Sequence, residues 1–526
     1  MASFNESVIN ILYCMTIKIL LGTSLMCLTA YSKVPPTLPL TLNDLHTQLT
    51  FPSSYSSYSS FSRDSLFAFN DPSRQKKHYG KAILGTVGMN VGVWAFDRYI
   101  MNEDFAKISW KSVRRNIKNG FVWDNDQFST NLFAHPYHGN LYFNAARSNG
   151  LNFWESAPYA LGGSLMWEIA AEVEPPAIND LVATTIGGIA LGEMTHRLSS
   201  LVLDDSKRGF ARFTREFLGT LICPMRGLNR MISGDMWKVR HQYYRYHDYE
   251  KIPVTFSIGI GNRYLADDNH LFRGEHNPYV DIRMQYGNAF DCENNQPYDY
   301  FTGRFSLGLS KNQPLINQIN LMGKLWSTTF DTSTDVNMLF GFFQHFNYYD
   351  SEEVIDGSGR IPYKISEAAS LGPGIIYQYP QVNSLVNLEQ RIFVSGILLG
   401  GSLTDYYNII DRNYNMGSGY SIKNNTIMNF GKHGLFALNL GFYHIFSWKG
   451  YEHKDLETVD PLHLNAQGDK GNVMLAVINP IIELQLNPHF KANIESSYYY
   501  RQTHYAHHPD VTYKTFETRL GLLYQF

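Results

Sequence analysis

Charge is scarce in this chain: Asp, Glu, Lys and Arg make up 17% of its 526 residues, against roughly 25% in ordinary soluble domains. No basic stretch accompanies the formal charge of -3, which argues against a nucleic-acid partner. Uninterrupted apolar runs mostly fall short of the roughly 20 residues a membrane-crossing helix needs, which argues against an inner-membrane bundle. Cysteine is rare too. Of the four, Cys14 and Cys27 lie in or before an export signal, leaving Cys223 and Cys292 as one bridge or as two buried thiols. The sequence also lacks a G-x-S-x-G elbow, a C-x-x-C or H-E-x-x-H word, and a glycine-rich phosphate loop with a following lysine. No cofactor is expected.

Aromatics, in contrast, reach 14%, with 35 Tyr and 33 Phe, enough for girdles at two membrane interfaces. The mean hydropathy of -0.25 suits a barrel, whose strands dilute an apolar face with a polar one. The C-terminal tail shows the pattern most sharply. Phe516, Leu520, Leu522, Tyr524 and Phe526 share one side of a period-two ribbon, and Tyr513, Thr515, Glu517, Arg519, Gly521 and Gln525 the other. Leu522, Tyr524 and Phe526 resemble the terminal signal by which outer-membrane barrels are inserted. The competing reading of this segment is the last strand of a soluble sandwich.

From about residue 251 the same period persists. Val254 to Ile260, Val280 to Tyr286, Phe301 to Leu309 and Phe436 to Phe442 alternate, and further segments centre near Leu321, Phe340, Ile375, Val394, Ile427, Val477 and Ile494. The count is about twelve, and bacterial single-chain barrels have even numbers of strands. With the preceding region in the periplasm, odd-numbered connections lie outside. Those at 350–363, 402–415 and 450–470 are long, while 331–335, 379–383, 431–434 and 487–489 are short. Only the connection at 311–314 breaks the rule, and Cys292 falls in a periplasmic turn. The inward positions include Arg283, Arg304, Lys324, Glu389, Arg391, Glu483, Glu495 and Arg519, which either pair and fill a narrow barrel or line a solute path.

Residues 1–32 read as a signal peptide, with Lys18 before the apolar run and Met15 as an alternative start. The triplet Ser24-Leu25-Met26 before Cys27 makes a poor lipobox. Residues 33–75 are rich in Pro, Ser and Tyr and read as a flexible leader. Residues 76–242 turn helical. Asn179 or Asp180 is the expected cap after Pro175-Pro176, and Gly88, Gly92, Gly188 and Gly192 offer close helix approaches. The domain is expected in the periplasm, beneath the barrel, or in its lumen.

The words H-P-Y-H-G-N-L-Y-F-N-A-A-R-S-N-G-L-N-F-W-E-S from His135, W-E-I-A-A-E-V-E-P-P-A-I-N-D-L, G-G-I-A-L-G-E and C-P-M-R-G-L-N-R-M resemble the domain of unknown function 3943 family. That resemblance implies a Gram-negative envelope protein and supplies no activity. The expected fold is therefore mainly β: an antiparallel transmembrane barrel of about twelve strands, residues 251–526, preceded by a helical domain. The expected location is the outer membrane, with lipid, the barrel-assembly machinery and a periplasmic protein as partners.

Function divides into two classes. The first is a non-enzymatic pore or docking barrel. The second is a lipid-modifying or metal-dependent enzyme using Glu168, Glu172, Asp180, Glu193 and His196. Glu168 and Glu172 share a helix face, and Glu193 and His196 form an E-x-x-H word, although a di-metal site wants two. Ion pairs among Glu168, Asp180, Glu193 and Arg197 that orient packed helices are the competing reading. His135 and His138 are placed before a turn. A phospholipase site would need His444 to meet Ser402 or Ser418 from an outer loop.

Overall fold

The period-two pattern closes on itself. Twelve antiparallel strands pair in sequence order, and β1 pairs with β12 to complete a barrel. The computed structural model describes residues 76–239 and 252–526, apart from 124–125, 268–269, 292–294, 331–335, 355–360, 384–385, 408–412, 452–457 and 459–467. The strands are β1 (Val254–Asp267), β2 (His270–Tyr286), β3 (Phe301–Gly308), β4 (Ile316–Phe330), β5 (Asn337–Asp350) and β6 (Lys364–Asn383). They continue as β7 (Val386–Leu403), β8 (Tyr414–Asn429), β9 (Gly434–Ser447), β10 (Gly471–Gln485), β11 (Phe490–Tyr505) and β12 (Val511–Gln525). Each segment expected from the sequence falls in its own strand. The signal peptide and leader lie outside the described residues.

Two details of the loops differ from expectation. Residues 379–383 belong to β6 rather than to a turn. The long-outside, short-inside rule also has more exceptions than 311–314. The β1–β2 connection is only 268–269 and the β11–β12 connection only 506–510, whereas 287–300 join β2 to β3. Part of that last segment substitutes for strand: Tyr298 N–H donates to the Lys324 carbonyl (2.6 Å), and Asn295 bonds both backbone groups of Ser327. A ladder lost where β3 is short is thus replaced by a loop.

Alternation sorts the wall into two faces. Along β12, Thr515, Glu517 and Arg519 are buried while Leu520 and Leu522 are exposed. Along β1, Ser257 and Arg263 are buried while Ile258 and Ile260 are exposed. Apolar side chains therefore face out and charged ones in, the reverse of a water-soluble core and the arrangement that lipid demands.

Helical chain takes part in two separate units. The described parts of Met1–Arg114, Tyr137–Glu174 and Leu191–Lys251 form one, and Arg115–Pro136 and Pro175–Ala190 group with the barrel in the other. The helices are α1 (Tyr79–Phe96), α2 (Trp110–Asn119), α3 (His135–Arg147), α4 (Phe153–Ala170), α5 (Ile178–Val182), α6 (Gly188–Val202), α7 (Gly209–Ile222) and α8 (Pro224–Ser233). Helix α4 starts at a reciprocal cap: Asn152 accepts from the Glu155 N–H (2.8 Å) and Glu155 accepts from the Asn152 N–H (3.0 Å), an N-x-x-E signal present in the sequence. Helix α5 disagrees with expectation. Its cap is Ala177, and Asn179 and Asp180 lie buried in the first turn. His135 and His138, expected before a turn, both lie within α3, which continues to Arg147.

The two segments grouped with the barrel lie on its outward face. On the regular strand β8, Tyr414 and Met416 share the face of the exposed Tyr420 and Ile422, yet both are buried. Asn131 donates to the Tyr414 hydroxyl (2.7 Å), which donates to the Asp126 carbonyl (2.6 Å). Phe128 packs on the same ring, 5.2 Å between centroids, and Trp123 on Trp448, 4.2 Å. Gly401, paired with Met416, leaves the space that Leu132 fills. Gln344 donates to the Ile186 carbonyl (2.8 Å), next to bulges in β5 and β6. Tyr414, Gly401 and Trp448 lie at the strand ends opposite those that carry Phe256 and Phe526.

Glycines tighten the other unit, although not all of the expected ones. Among the described residues nothing comes within 4 Å of a Cβ at Gly88 or Gly92, whereas a Cβ at Gly192 would stand 2.6 Å from the Phe143 ring. Gly192→Ala is expected to cost about 1–3 kcal/mol through overpacking, outweighing the roughly 1 kcal/mol that Ala adds to helix propensity. A thermal melt of the purified protein reads this as a lower midpoint. An unchanged midpoint would show that Phe143 moves aside freely.

Candidate functional site: the filled barrel interior

The charges on the inner face form a network across the barrel. Arg283 on β2 pairs with Asp281 (2.6 Å), with Glu483 on β10 (2.9 Å) and with Glu495 on β11 (3.2 Å). Arg304 on β3 pairs with Asp281 (2.9 Å) and Glu495 (2.7 Å), and Lys491 with Glu483 (3.2 Å). Three carboxylates thus meet three cations. Since β3 and β11 are separated around the ring by β2, β1 and β12, these arginines span a chord of the interior. Long guanidinium side chains with several donors suit that reach.

A second layer is apolar and aromatic. Leu265, Tyr363, Ile365, Ile397, Tyr443, Ile445, Leu475 and Tyr499 form one buried cluster drawn from strands all round the ring. Tyr363 stacks on Tyr499, 4.3 Å between centroids, and donates to Glu517 on β12 (2.6 Å). Tyr363 directly precedes β6, six strands from β12, so this single bond crosses the barrel. Glu517 also pairs with Arg519, which donates to Ser306 (2.9 Å).

A third layer joins Met322, Leu339, Phe343, Ile376 and Phe393 to Ala289 and Tyr300 of the β2–β3 segment. Lys324, fully buried, donates to the Asp291 carbonyl (3.0 Å) and pairs with Asp299 (3.0 Å). Arg391 pairs with Glu389 (2.5 Å) beneath Tyr300.

All eight inward charges named from the sequence occur in these layers. Sequence reasoning singled out neither their partners Asp281 and Glu517, although both stood on the same polar faces, nor the buried pair Glu367–Lys423 (2.6 Å). Tyr363 lay in an expected outer loop and gave no signal. At the C-terminus, Phe526 packs against Tyr524 (4.9 Å) and Phe256 (5.4 Å).

The helical carboxylates have other occupations. Glu193, fully buried, accepts two bonds from Arg147 (2.7 and 2.8 Å) and one from Arg197 (2.9 Å). Glu172 accepts from the Trp167 indole (3.1 Å), Glu168 is buried, and Asp180 lies 3.5 Å from His135. Among the described residues no three His, Cys, Asp or Glu side chains could hold a metal ion. The word Glu193-x-x-His196 therefore shares its carboxylate with two arginines. The phospholipase set does not assemble either. Ser418 lies on β8, where it donates to the Leu398 carbonyl (2.8 Å). Ser402 lies on β7 and is buried, and His444 contacts Tyr420 (3.2 Å). Cys223 is a buried free thiol, pushed up to about 11 by burial, and Cys292 lies outside the described residues.

Asp97, buried at the end of α1, is pushed up to about 7 by burial, with the Glu103 carboxylate adding to it. An unfolded Asp titrates near 4, so between the two values the folded state holds more protons. Stability is therefore expected to fall as pH rises from about 4 to about 7. Asp97→Asn should flatten that part of a melting-temperature profile, and a profile identical to the parent's would contradict the assignment.

Comparison with known proteins places the helical words. Residues 120–225 match the family model described as Domain of unknown function (DUF3943). No curated protein matches. Solved structures similar to the barrel include a NanC porin, 11% identical, covering 51% of this chain and 98% of that one with a TM-score of 0.27. A KdgM porin in complex with disordered oligogalacturonate is also 11% identical and covers 51% and 99% with a TM-score of 0.22. The outer membrane channel DcaP of Acinetobacter baumannii is 10% identical and covers 52% and 97% with a TM-score of 0.19. Residues 120–225 thus carry a DUF3943 match in a chain that closes a twelve-stranded barrel.

Proposed function

We propose that this protein is an outer-membrane barrel sealed by its own side chains, serving as an anchoring and docking component of the envelope. The observation that carries this reading is the bond from Tyr363 to Glu517 across the ring, set in an interior where Asp281, Arg263 and Lys324 are fully buried. A solute path needs water beside its charges, and charges lining one would be solvated rather than matched. Here Asp281, Glu483, Glu495 and Glu517 each pair with a cation of the inner face, which supports a structural role for the lumen.

The outward Leu522 and Tyr524, with the terminal Phe526, would be read by the barrel-assembly machinery, and the apolar outer face would meet outer-membrane lipid. The helical unit is the element available to a periplasmic protein. Planar-bilayer recording on the purified full chain tests the sealed lumen. No unitary steps are expected, and regular ohmic steps of porin size would defeat the reading.

A further inference from the structure

Two helices of the helical unit turn large apolar side chains outward. In α1 the buried positions are Ala82, Thr86 and Asn90, while Ile83, Leu84, Val87 and Val91, spaced along the opposite face, are exposed. Leu84 is 71% exposed. Helix α4 buries Phe153, Ser156, Ala160, Gly163, Ser164, Trp167 and Glu168 while exposing Trp154 (63%), Leu161 and Leu165. Between the helices, Asn90 donates to the Gly163 carbonyl (3.0 Å) and receives the Tyr142 hydroxyl. Asn144 bonds Asn140 (2.7 Å) and the Gly192 carbonyl (3.0 Å). The interior of this unit thus mixes apolar side chains such as Leu141, Phe143, Trp167 and Met225 with hydrogen-bonded Asn90 and Asn144, and small residues stand at the crossings.

We propose that this unit is solvated by lipid: the exposed faces of α1 and α4 contact the hydrocarbon of a bilayer. In water an amphipathic helix turns its apolar stripe to the core; packing through polar and small residues, with apolar side chains outward, is how helices associate in hydrocarbon. No helix among the described residues is long and apolar enough to cross a membrane, so contact along these faces is proposed, not a crossing.

A further observation favours lipid over a protein partner. The part of α2 that belongs to this unit carries Lys111 and Arg114 without an acidic residue, beside a Trp110 that is 88% exposed. Basic residues with an adjacent tryptophan suit an interface with anionic headgroups. The proposal rests on the membrane location of the barrel but not on its lumen being sealed.

Nitroxides at Leu84→Cys and Leu161→Cys, with Leu520→Cys on the outward face of β12 as reference, test it in the full chain. The protein is reconstituted in vesicles of phosphatidylethanolamine and phosphatidylglycerol. The parent carried through the same labelling supplies the background from its own cysteines. Collision with oxygen is expected to exceed collision with a water-soluble nickel chelate at least tenfold at 84 and 161, as at 520. A lipid-like 520 with nickel-accessible 84 and 161 would overturn this proposal alone, and nickel access at all three would overturn the membrane reading with it. Protection from both reagents would overturn it too, with dipolar broadening then identifying a second copy as the occupant and its absence pointing to burial within the chain.

Discussion

Glu495→Ala is expected to destabilise the folded barrel by about 3–5 kcal/mol, the usual cost of leaving a buried charge without its partner. Glu495 receives Arg304 through two bonds (2.7 and 2.8 Å) and Arg283 through one (3.2 Å), and Asn479 donates to it as well (3.1 Å). Its removal leaves two guanidinium groups to share Asp281 and Glu483. Urea unfolding of the protein in detergent, read by heat-modifiable migration, measures the loss. The double variant Arg304→Ala/Glu495→Ala should lose less than the sum of the two single variants, with a coupling of about 0.5–3 kcal/mol. Additive losses, or a Glu495→Ala barrel as stable as the parent, would mean that the lumen is wet and that the network is not what holds it closed.

The barrel was legible because the wall imposes one rule on every strand. A side chain facing lipid and its neighbour facing the interior must differ in polarity, and that alternation survives in Val254–Ile260 as clearly as in Phe516–Phe526. The same rule revealed that Arg283, Arg304 and Glu495 lie inward, because a charge on the lipid face is costly. What alternation cannot convey is the partner across the ring, since strand order around a closed sheet brings Arg304 to Glu495 over a distance of 191 residues.

Bulges were equally hidden. Between Glu367 and Ser370 the register of β6 against β7 shifts, and the disturbed wall there is where Gly187 approaches the Ala368 carbonyl. Nothing in S-E-A-A-S announces that irregularity. The helical region was misjudged for a related reason. Small residues mark close crossings, yet Gly88 and Gly92 lie on the exposed face of α1. Gly192 is a crossing residue, as its spacing suggests, and Gly163, which the pattern does not single out, is another, each against an aromatic ring.

Glu193→Ala separates the structural from the chemical reading of the E-x-x-H word. Burial works to raise the Glu193 carboxyl, but Arg147 and Arg197 overcome it and hold the group below its ordinary range. A depressed carboxylate contributes stability that is present above the unfolded value, near 4, and is lost as pH falls through the folded one. The parent should therefore lose part of its stability in acid, and Glu193→Ala should lack that part of the profile. At neutral pH the variant should be less stable by about 3–5 kcal/mol, because two arginines lose a buried partner. Glu193→Gln, which keeps the shape and an acceptor oxygen, should fall between them. Arg197→Met removes the weaker of the two pairings, one bond at 2.9 Å, and should cost less than Glu193→Ala. The structural reading fails if Glu193→Ala keeps the parent's stability while elemental analysis shows a bound metal lost, since the carboxylate would then serve a ligand and not the arginines.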